Sequence, residues 1–209
     1  MLPLQIGEIA LACKGEAHGE AQVTSVCIDS RKISQGCLFI AIKGDRFDGH
    51  DFVEKAFEEG AAAVMVHRDI HCRGPYVRVA NTREALLRLA GYYRQFFQIP
   101  VVGLTGSVGK TTTKEMTAAV LSKRYKTLKN EGNLNNEIGM PMTAFGLDLS
   151  YGAAVFEMGM SGFGEIARMA RAAAPTVGII TEHRRFPHGA VRLTRKYPQG
   201  EAGAARRNG

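Results

Sequence analysis

The chain is short of cysteine, of long apolar runs and, outside its last residues, of net charge. Each shortage removes a class of function. Cys13, Cys27, Cys37 and Cys72 form no C-x-x-C pair and fit no zinc spacing. They read as small buried apolar residues of a reducing, cytoplasmic protein. No apolar run approaches the length of a membrane span. The start, Met1 to Gln5, lacks the basic and apolar regions of a signal peptide. The expectation is a cytoplasmic protein without membrane insertion. The net charge is +7, but residues 182–209 hold six Arg and one Lys against two Glu, or +5, leaving +2 for the preceding 181 residues. Basicity confined to a tail argues against a patterned nucleic-acid surface. His18, His67 and His71 lack metal-ligand spacing and read as surface residues. There are no internal repeats.

What remains is an ordinary globular composition, 45% hydrophobic over 209 residues, enough for one or two domains. Residues 1–98 read as one α/β unit. Val23–Ile28, Cys37–Ile42, Ala62–Val66 and Tyr76–Val79 are strand-like. Asp51–Gly60 has helical spacing, with Phe52, Val53, Ala56 and Phe57 on one face. Asn81-Thr82 caps a helix running to about Phe97. Pro100 marks the start of a second unit. Strands at Val101–Thr105, Ala153–Glu157 and Val177–Thr181 alternate with helices at Lys110–Ser122 and Phe163–Ala173. Ile166–Ala174 supplies helix core. Short apolar strands alternating with helices predict a parallel, doubly wound α/β sheet covered on both faces.

The densest signal is Thr105-Gly106-Ser107-Val108-Gly109-Lys110-Thr111-Thr112. It lies between a strand and a helix, the setting a phosphate-binding loop needs. Glycines let backbone N–H groups approach phosphate oxygens, and the helix N-terminus favours an anion. Lys110 would reach the terminal phosphates, and Thr111 would offer its hydroxyl to Mg²⁺. The strict pattern G-x-x-x-x-G-K-[ST] is not met, because Leu104 stands at its first glycine. The shorter T-G-x-x-G-K-T-T is met in full. The bland alternative is a Gly/Thr-rich turn that binds nothing.

Glu157 closes a strand expected beside the loop strand, where a carboxylate can hold Mg²⁺ bridging nucleotide phosphates. The alternative is a solvated strand end. Asn130–Gly139 packs four Asn into seven residues. Composition alone makes it a loop, and a role in ligating nucleotide or substrate is equally open. Asp29-Ser30-Arg31 and Gly44–His50 follow strands, where α/β folds place ligands. Arg31 or Arg46 could hold a diphosphate and Phe47 could stack on a base. By composition alone both are surface turns with scattered charge.

Together these segments resemble the Mur ligase family of peptidoglycan synthesis. The resemblance is carried by Asp29-Ser30-Arg31, Gly36–Ala41, Lys43–Phe52, Thr105–Thr112, Asn133–Pro141 and Glu157-Met158-Gly159, and it runs over residues 1–181. It implies a small N-terminal α/β domain, 1–98, that binds a UDP-linked substrate. It also implies an incomplete doubly wound P-loop ATP-binding domain, 99–181. The implied activity is ATP-dependent addition of D-alanyl-D-alanine to UDP-N-acetylmuramoyl-tripeptide through an acyl phosphate. The implied ATP-binding residues are Thr105, Gly106, Ser107, Val108, Gly109, Lys110, Thr111 and Thr112. Lys110 and Glu157 are the implied catalytic residues, and Thr111 and Glu157 the implied Mg²⁺ ligands. The substrate residues implied are Ser30, Arg31, Phe47, Asp48, Gly49, His50, Asn135 and Asn136. The expected state is a monomer that binds no nucleic acid. A non-catalytic nucleotide- or UDP-sugar-binding module is the competing reading.

After Thr181 the family pattern stops. Family members continue with a string like T-N-I-G-x-S-H, whereas here Glu182-His183-Arg184-Arg185-Phe186-Pro187-His188 follows. Codons GAA CAT CGG CGT TTC CCA CAT G encode that run. Read one base later they give N-I-G-V-S-H-M. Residues 182–209 are therefore expected to be an out-of-frame tail without order, and the 209-residue chain a truncated, inactive fragment.

Overall fold

The computed structural model describes residues 1–70 and 72–182. The chain divides into two compact units, Met1–Leu89 and Ala90 onward. Residues 183–209, on which the out-of-frame reading mostly falls, and His71 lie outside the described residues.

The first unit begins with β1 (Leu4–Gln5) and α1 (Ile6–Cys13), followed by β2 (Glu16–His18), β3 (Gln22–Val23), β4 (Ser25–Cys27) and β5 (Cys37–Ile40). A 3-10 turn, Gly49–Phe52, leads into α2 (Val53–Glu58), then β6 (Ala63–Val66), β7 (Tyr76–Arg78) and α3 (Thr82–Arg94). The main sheet has the order β2-β7-β6-β5-β4. Strands β4 to β7 run parallel, and β2 is antiparallel to β7. Every residue of β5 and β6 is buried, as continuous apolar strands require when both faces are covered. Val53 and Ala56 pack with Phe39 and Val64, and Phe52 and Phe57 join them. The helical face read from spacing is thus the face that meets the sheet.

The strand expected at Val23–Ile28 is split. Val23 pairs with Leu4 in a separate two-stranded ribbon, and Ser25–Cys27 pairs with β5. Helix α1 was not anticipated. It buries Ile6, Ile9, Ala10 and Cys13, an i, i+3, i+4, i+7 stripe. The Gln5 N–H donates to Glu8 Oε2 at 2.9 Å at its start, and Lys14 closes it in the left-handed region. Asn81 caps α3 as expected, its Oδ1 accepting from the N–H groups of Arg83 and Glu84.

The second unit contains β8 (Val101–Thr105), α4 (Lys110–Leu121), β9 (Thr127–Lys129), α5 (Gly139–Ala144), β10 (Ala153–Glu157), α6 (Glu165–Ala173) and β11 (Val177–Ile180). Its sheet is parallel throughout, in the order β11-β8-β10-β9. Val102 and Val155 are neighbours in register and receive Ala118 of α4, with Leu121 and Ile179 alongside. Ile166, Met169, Ala170, Ala172 and Ala173 of α6 are buried, the core role expected for that segment.

The division into compact units falls inside α3, after Leu89. The last turn of α3 belongs to the second unit. The Tyr93 hydroxyl donates to the Leu147 carbonyl at 2.7 Å, and its ring lies against Phe97 and Phe145. The Arg94 guanidinium donates to the carbonyls of Phe97 and Ile99, fixing the turn that leads to β8.

Candidate active site

The parallel sheet of the second unit builds the site. The chain leaves β8, passes through β9 and β10 on one side, then returns to β11 on the other. Such a reversal opens a crevice beyond the carboxyl end of the first strand. Thr105–Lys110 occupies that position. Gly106 has φ +140° and Gly109 φ +83°, values that L side chains rarely adopt. Gly109 stands directly before α4, whose first N–H groups have no partners within the helix. The Lys110 ammonium folds back to donate to the Gly106 carbonyl at 2.6 Å. Thr111 and Thr112 are exposed. The Ser107 N–H donates to the Glu182 carbonyl at 2.8 Å, and Thr181 N–H to Thr105 O at 2.8 Å. The loop is thereby tied to the chain leaving β11.

Register then places Glu157. It pairs with Leu104, one residue before the end of β8, so its carboxylate sits at the root of the loop. Glu157 is 1% exposed, which removes the solvated-strand-end reading. Its Oε1 accepts from Asn135 Nδ2 at 2.8 Å. Its Oε2 accepts no hydrogen bond among the described residues, and the Lys114 ammonium lies 3.7 Å away. Asn130 is fully buried and grips the same residue. Its Oδ1 accepts from the Glu157 N–H at 2.8 Å, and its Nδ2 donates to the Glu157 carbonyl at 3.0 Å. The Thr105 hydroxyl donates to the Met158 carbonyl at 2.8 Å, locking the two strand ends together. A buried carboxylate with one oxygen that accepts no hydrogen bond among the described residues is a hard anionic donor. An Mg²⁺ carried in on nucleotide phosphates fits that donor.

The Asn-rich run is a loop, as its composition suggested, but its asparagines do different work. Asn130 and Asn135 meet Glu157. Asn136 is exposed, and its Oδ1 accepts from the N–H groups of Ile138 and Gly139 at the start of α5. Asn130 belongs to the run for which a ligand role was left open, but its grip on Glu157, and the whole of Lys114, lie outside the sequence expectations. Lys114 follows Lys110 by one helical turn and shares the sheet-facing stripe of Ala118. A lysine in an apolar stripe is the one sequence signal that could have marked it.

In the first unit, Asp29–Arg31 and Gly44–His50 follow β4 and β5, adjacent parallel strands. Arg31 donates from Nε and Nη2 to the two Asp29 carboxylate oxygens, both at 2.9 Å. That fork holds the Asp29 carboxyl down at about 2. Ser30 is half-buried between them. Phe47 is 73% exposed, open to stack on a planar ligand. His50, by contrast, is buried. Its Nδ1 is 2.6 Å from Asp48 Oδ1, and its Nε2 accepts from the His67 N–H at 3.1 Å. The second contact makes Nε2 the unprotonated nitrogen, so Nδ1–H donates to Asp48. Burial alone would raise the Asp48 carboxyl. Bonds from the His50 N–H and ring, with the Arg68 charge, outweigh it and lower the value. Gly49 opens the 3-10 turn beneath this network. His67 is not a free surface residue as its spacing suggested. It packs edge-on against His50, 4.3 Å between ring centroids, with Nδ1 3.2 Å from Thr82 Oγ1.

The sequence matches known proteins over both units. Residues 104–185 match the Mur ligase middle domain, and residues 22–94 match the Mur ligase family, catalytic domain. The UDP-N-acetylmuramoyl-tripeptide–D-alanyl-D-alanine ligase of Synechocystis is 44% identical over 165 residues, 78% of this chain and 36% of the relative. The ligase of the same description from Escherichia coli is 42% identical over 181 residues, 86% of this chain and 40% of the relative. Among solved structures, MurF from Acinetobacter baumannii superposes with a TM-score of 0.89 at 33% identity, over 98% of this chain and 46% of that one. MurF from Thermotoga maritima in complex with ADP gives 0.77 at 30%, over 87% and 43%. The chain therefore spans less than half the length of these relatives. Family-model matches over both units, together with curated relatives above 40% identity and a solved structure at a TM-score of 0.89, place the chain in the Mur ligase family.

Proposed function

We propose that this chain supplies the nucleotide-binding and UDP-substrate-binding parts of an ATP-dependent amide ligase of peptidoglycan synthesis. The reaction joins D-alanyl-D-alanine to UDP-N-acetylmuramoyl-tripeptide. The observation that carries the reading is Glu157, buried beside the phosphate-loop strand with an Oε2 that accepts no hydrogen bond among the described residues. In this reading Thr105–Thr112 wraps the ATP phosphates. Lys110 exchanges the Gly106 carbonyl for phosphate oxygens. Thr111 and Glu157 would hold Mg²⁺, which would supply positive charge beside the phosphates. The substrate carboxylate takes the terminal phosphoryl group of ATP, giving an acyl phosphate and leaving ADP. The amine of D-alanyl-D-alanine attacks its carbonyl, releasing phosphate and forming the amide. Asn135 and Asn136 line the cleft on the substrate side. Ser30, Arg31 and the Phe47–His50 loop hold the UDP moiety, with Phe47 as the stacking face. The His50 ring holds Asp48 and so fixes the loop's shape.

Titration calorimetry with ADP and Mg²⁺, and separately with UDP-N-acetylmuramoyl-tripeptide, tests this. Lys110→Ala and Glu157→Gln should each weaken Mg²⁺–ADP binding. Arg31→Ala should weaken only the UDP ligand. Nucleotide binding indifferent to both Lys110 and Glu157 would refute the site. With 36–41% of the relatives' length covered, a polypeptide of these 209 residues is expected to bind both ligands without forming the amide. The competing reading, a binding module without catalysis, predicts that the corresponding full-length protein also releases no phosphate when D-alanyl-D-alanine is added.

A further inference from the structure

Lys114 is 1% exposed. A lysine is almost never so deeply buried without partners that hold its charge. Its ammonium donates to the Asn130 carbonyl at 2.9 Å. It lies 3.7 Å from Glu157 Oε2 and 3.4 Å from Glu115 Oε1. Asn130 in turn holds the backbone of Glu157 on both sides through its side-chain amide, and it also donates to the Leu134 carbonyl. A continuous path therefore runs from α4 through Lys114 and Asn130 to the backbone of Glu157, and the Lys114 charge faces its carboxylate directly. The path joins three segments that only the tertiary fold assembles, the phosphate-loop helix, the Asn-rich loop and the end of β10.

Packing alone does not need this arrangement. The neighbouring stripe position on α4, Ala118, is filled by a small apolar residue, whereas an apolar residue at position 114 would leave the Asn130 carbonyl without this donor and the Glu157 carboxylate without its counter-charge. What the ammonium adds is direction. It holds the Asn130 carbonyl, and the Asn130 side-chain amide holds the Glu157 backbone. It also lies opposite the one carboxylate oxygen that accepts no hydrogen bond among the described residues.

We propose that Lys114 is a positioning residue for the nucleotide-bound cation. It holds Glu157, through Asn130 and through its own charge, in the orientation that receives Mg²⁺ on nucleotide phosphates. This rests on the assignment of Glu157 to the metal. Residues that orient a metal ligand typically change metal affinity by about 10- to 100-fold when removed. Lys114→Met is accordingly expected to weaken ADP binding about tenfold or more in the presence of Mg²⁺, and to leave ADP binding in EDTA unchanged. Because Lys114 acts through Glu157, the two substitutions should not add. Lys114→Met combined with Glu157→Gln should bind Mg²⁺–ADP no more weakly than Glu157→Gln alone.

The experiment is calorimetry of ADP binding, with Mg²⁺ and with EDTA, to the unsubstituted protein, both single variants and the double variant. Lys114→Arg is the second probe, keeping a donor and a charge at the position. It is expected to retain Mg²⁺–ADP affinity within about threefold, on the same ligand-orientation reasoning. No effect of Glu157→Gln on Mg²⁺–ADP would remove the metal assignment itself. An effect of Glu157→Gln with additive losses in the double variant would leave that assignment standing and overturn the role of Lys114. Equal losses for Lys114→Met in Mg²⁺ and in EDTA, or a variant that no longer folds while Lys114→Arg binds no better, would make Lys114 a structural prop and overturn the proposal.

Discussion

Gly106→Ala tests how the phosphate loop is built. Gly106 has φ +140°, where an L residue carries strain of about 1–3 kcal/mol. An added Cβ would also collide with the Thr181 hydroxyl and stand 3.0 Å from the Thr181 backbone N. Thr181 cannot retreat freely, because its N–H donates to the Thr105 carbonyl at 2.8 Å. Breaking that bond costs about 1 kcal/mol more. The total is about 2–4 kcal/mol, the sum of these two contributions. Gly109 is the internal control. Its φ is +83°, yet nothing lies within 4 Å of an added Cβ, so Gly109→Ala should lose only the strain of about 1–2 kcal/mol. The chain has no tryptophan, so urea unfolding is best followed by far-UV circular dichroism, with Mg²⁺–ADP binding measured on the same samples. Gly106→Ala should be the less stable variant and should lose nucleotide affinity. Equal midpoints for the two variants would show that Thr181 does not constrain the loop. An unchanged midpoint for Gly106→Ala would refute the reasoning entirely.

Burial, and then the nearby His50, lower the His67 value from 6.5. A depressed folded value means that the stabilisation is complete above pH 6.5 and is lost as pH falls through the folded value. The urea midpoint of the first unit should therefore drop between pH 7.5 and pH 5.5, and His67→Gln should flatten that slope. Tyr93→Phe removes the donor to the buried Leu147 carbonyl and should cost about 1–2 kcal/mol, read as a lower melting temperature with the fold retained. Sequencing the coding DNA across codons 178–190 is expected to find a run that, read one base later, encodes N-I-G-V-S-H after Thr181. A DNA sequence unable to encode that string in the shifted frame would end the out-of-frame explanation of residues 182–209.

Local pattern made much of this molecule legible. Strands β8 and β10 fall where their apolar runs placed them, because five consecutive buried residues leave no polar face to misassign. The glycine loop was readable because its positive-φ positions, Gly106 and Gly109, demand glycine at fixed spacing. The elements that were missed are short or context-dependent. Strand β9 is three half-buried residues, Thr127–Lys129, and gains its identity only by pairing with β10. Helix α5 is six residues opened by the Asn136 side chain.

The sequence by itself determined the α/β class, the glycine-rich turn between β8 and α4 and the family. Those rest on periodicity, on glycine stereochemistry and on strings of adjacent residues. Only the tertiary structure decided that Glu157 lies at the root of the loop, that Asn130 grips it from 27 positions away, that Lys114 is buried beside both, and that His50 and His67 form one network. These facts depend on strand register and on which polar groups must find partners once water is excluded, and neither is written in the neighbourhood of any one residue.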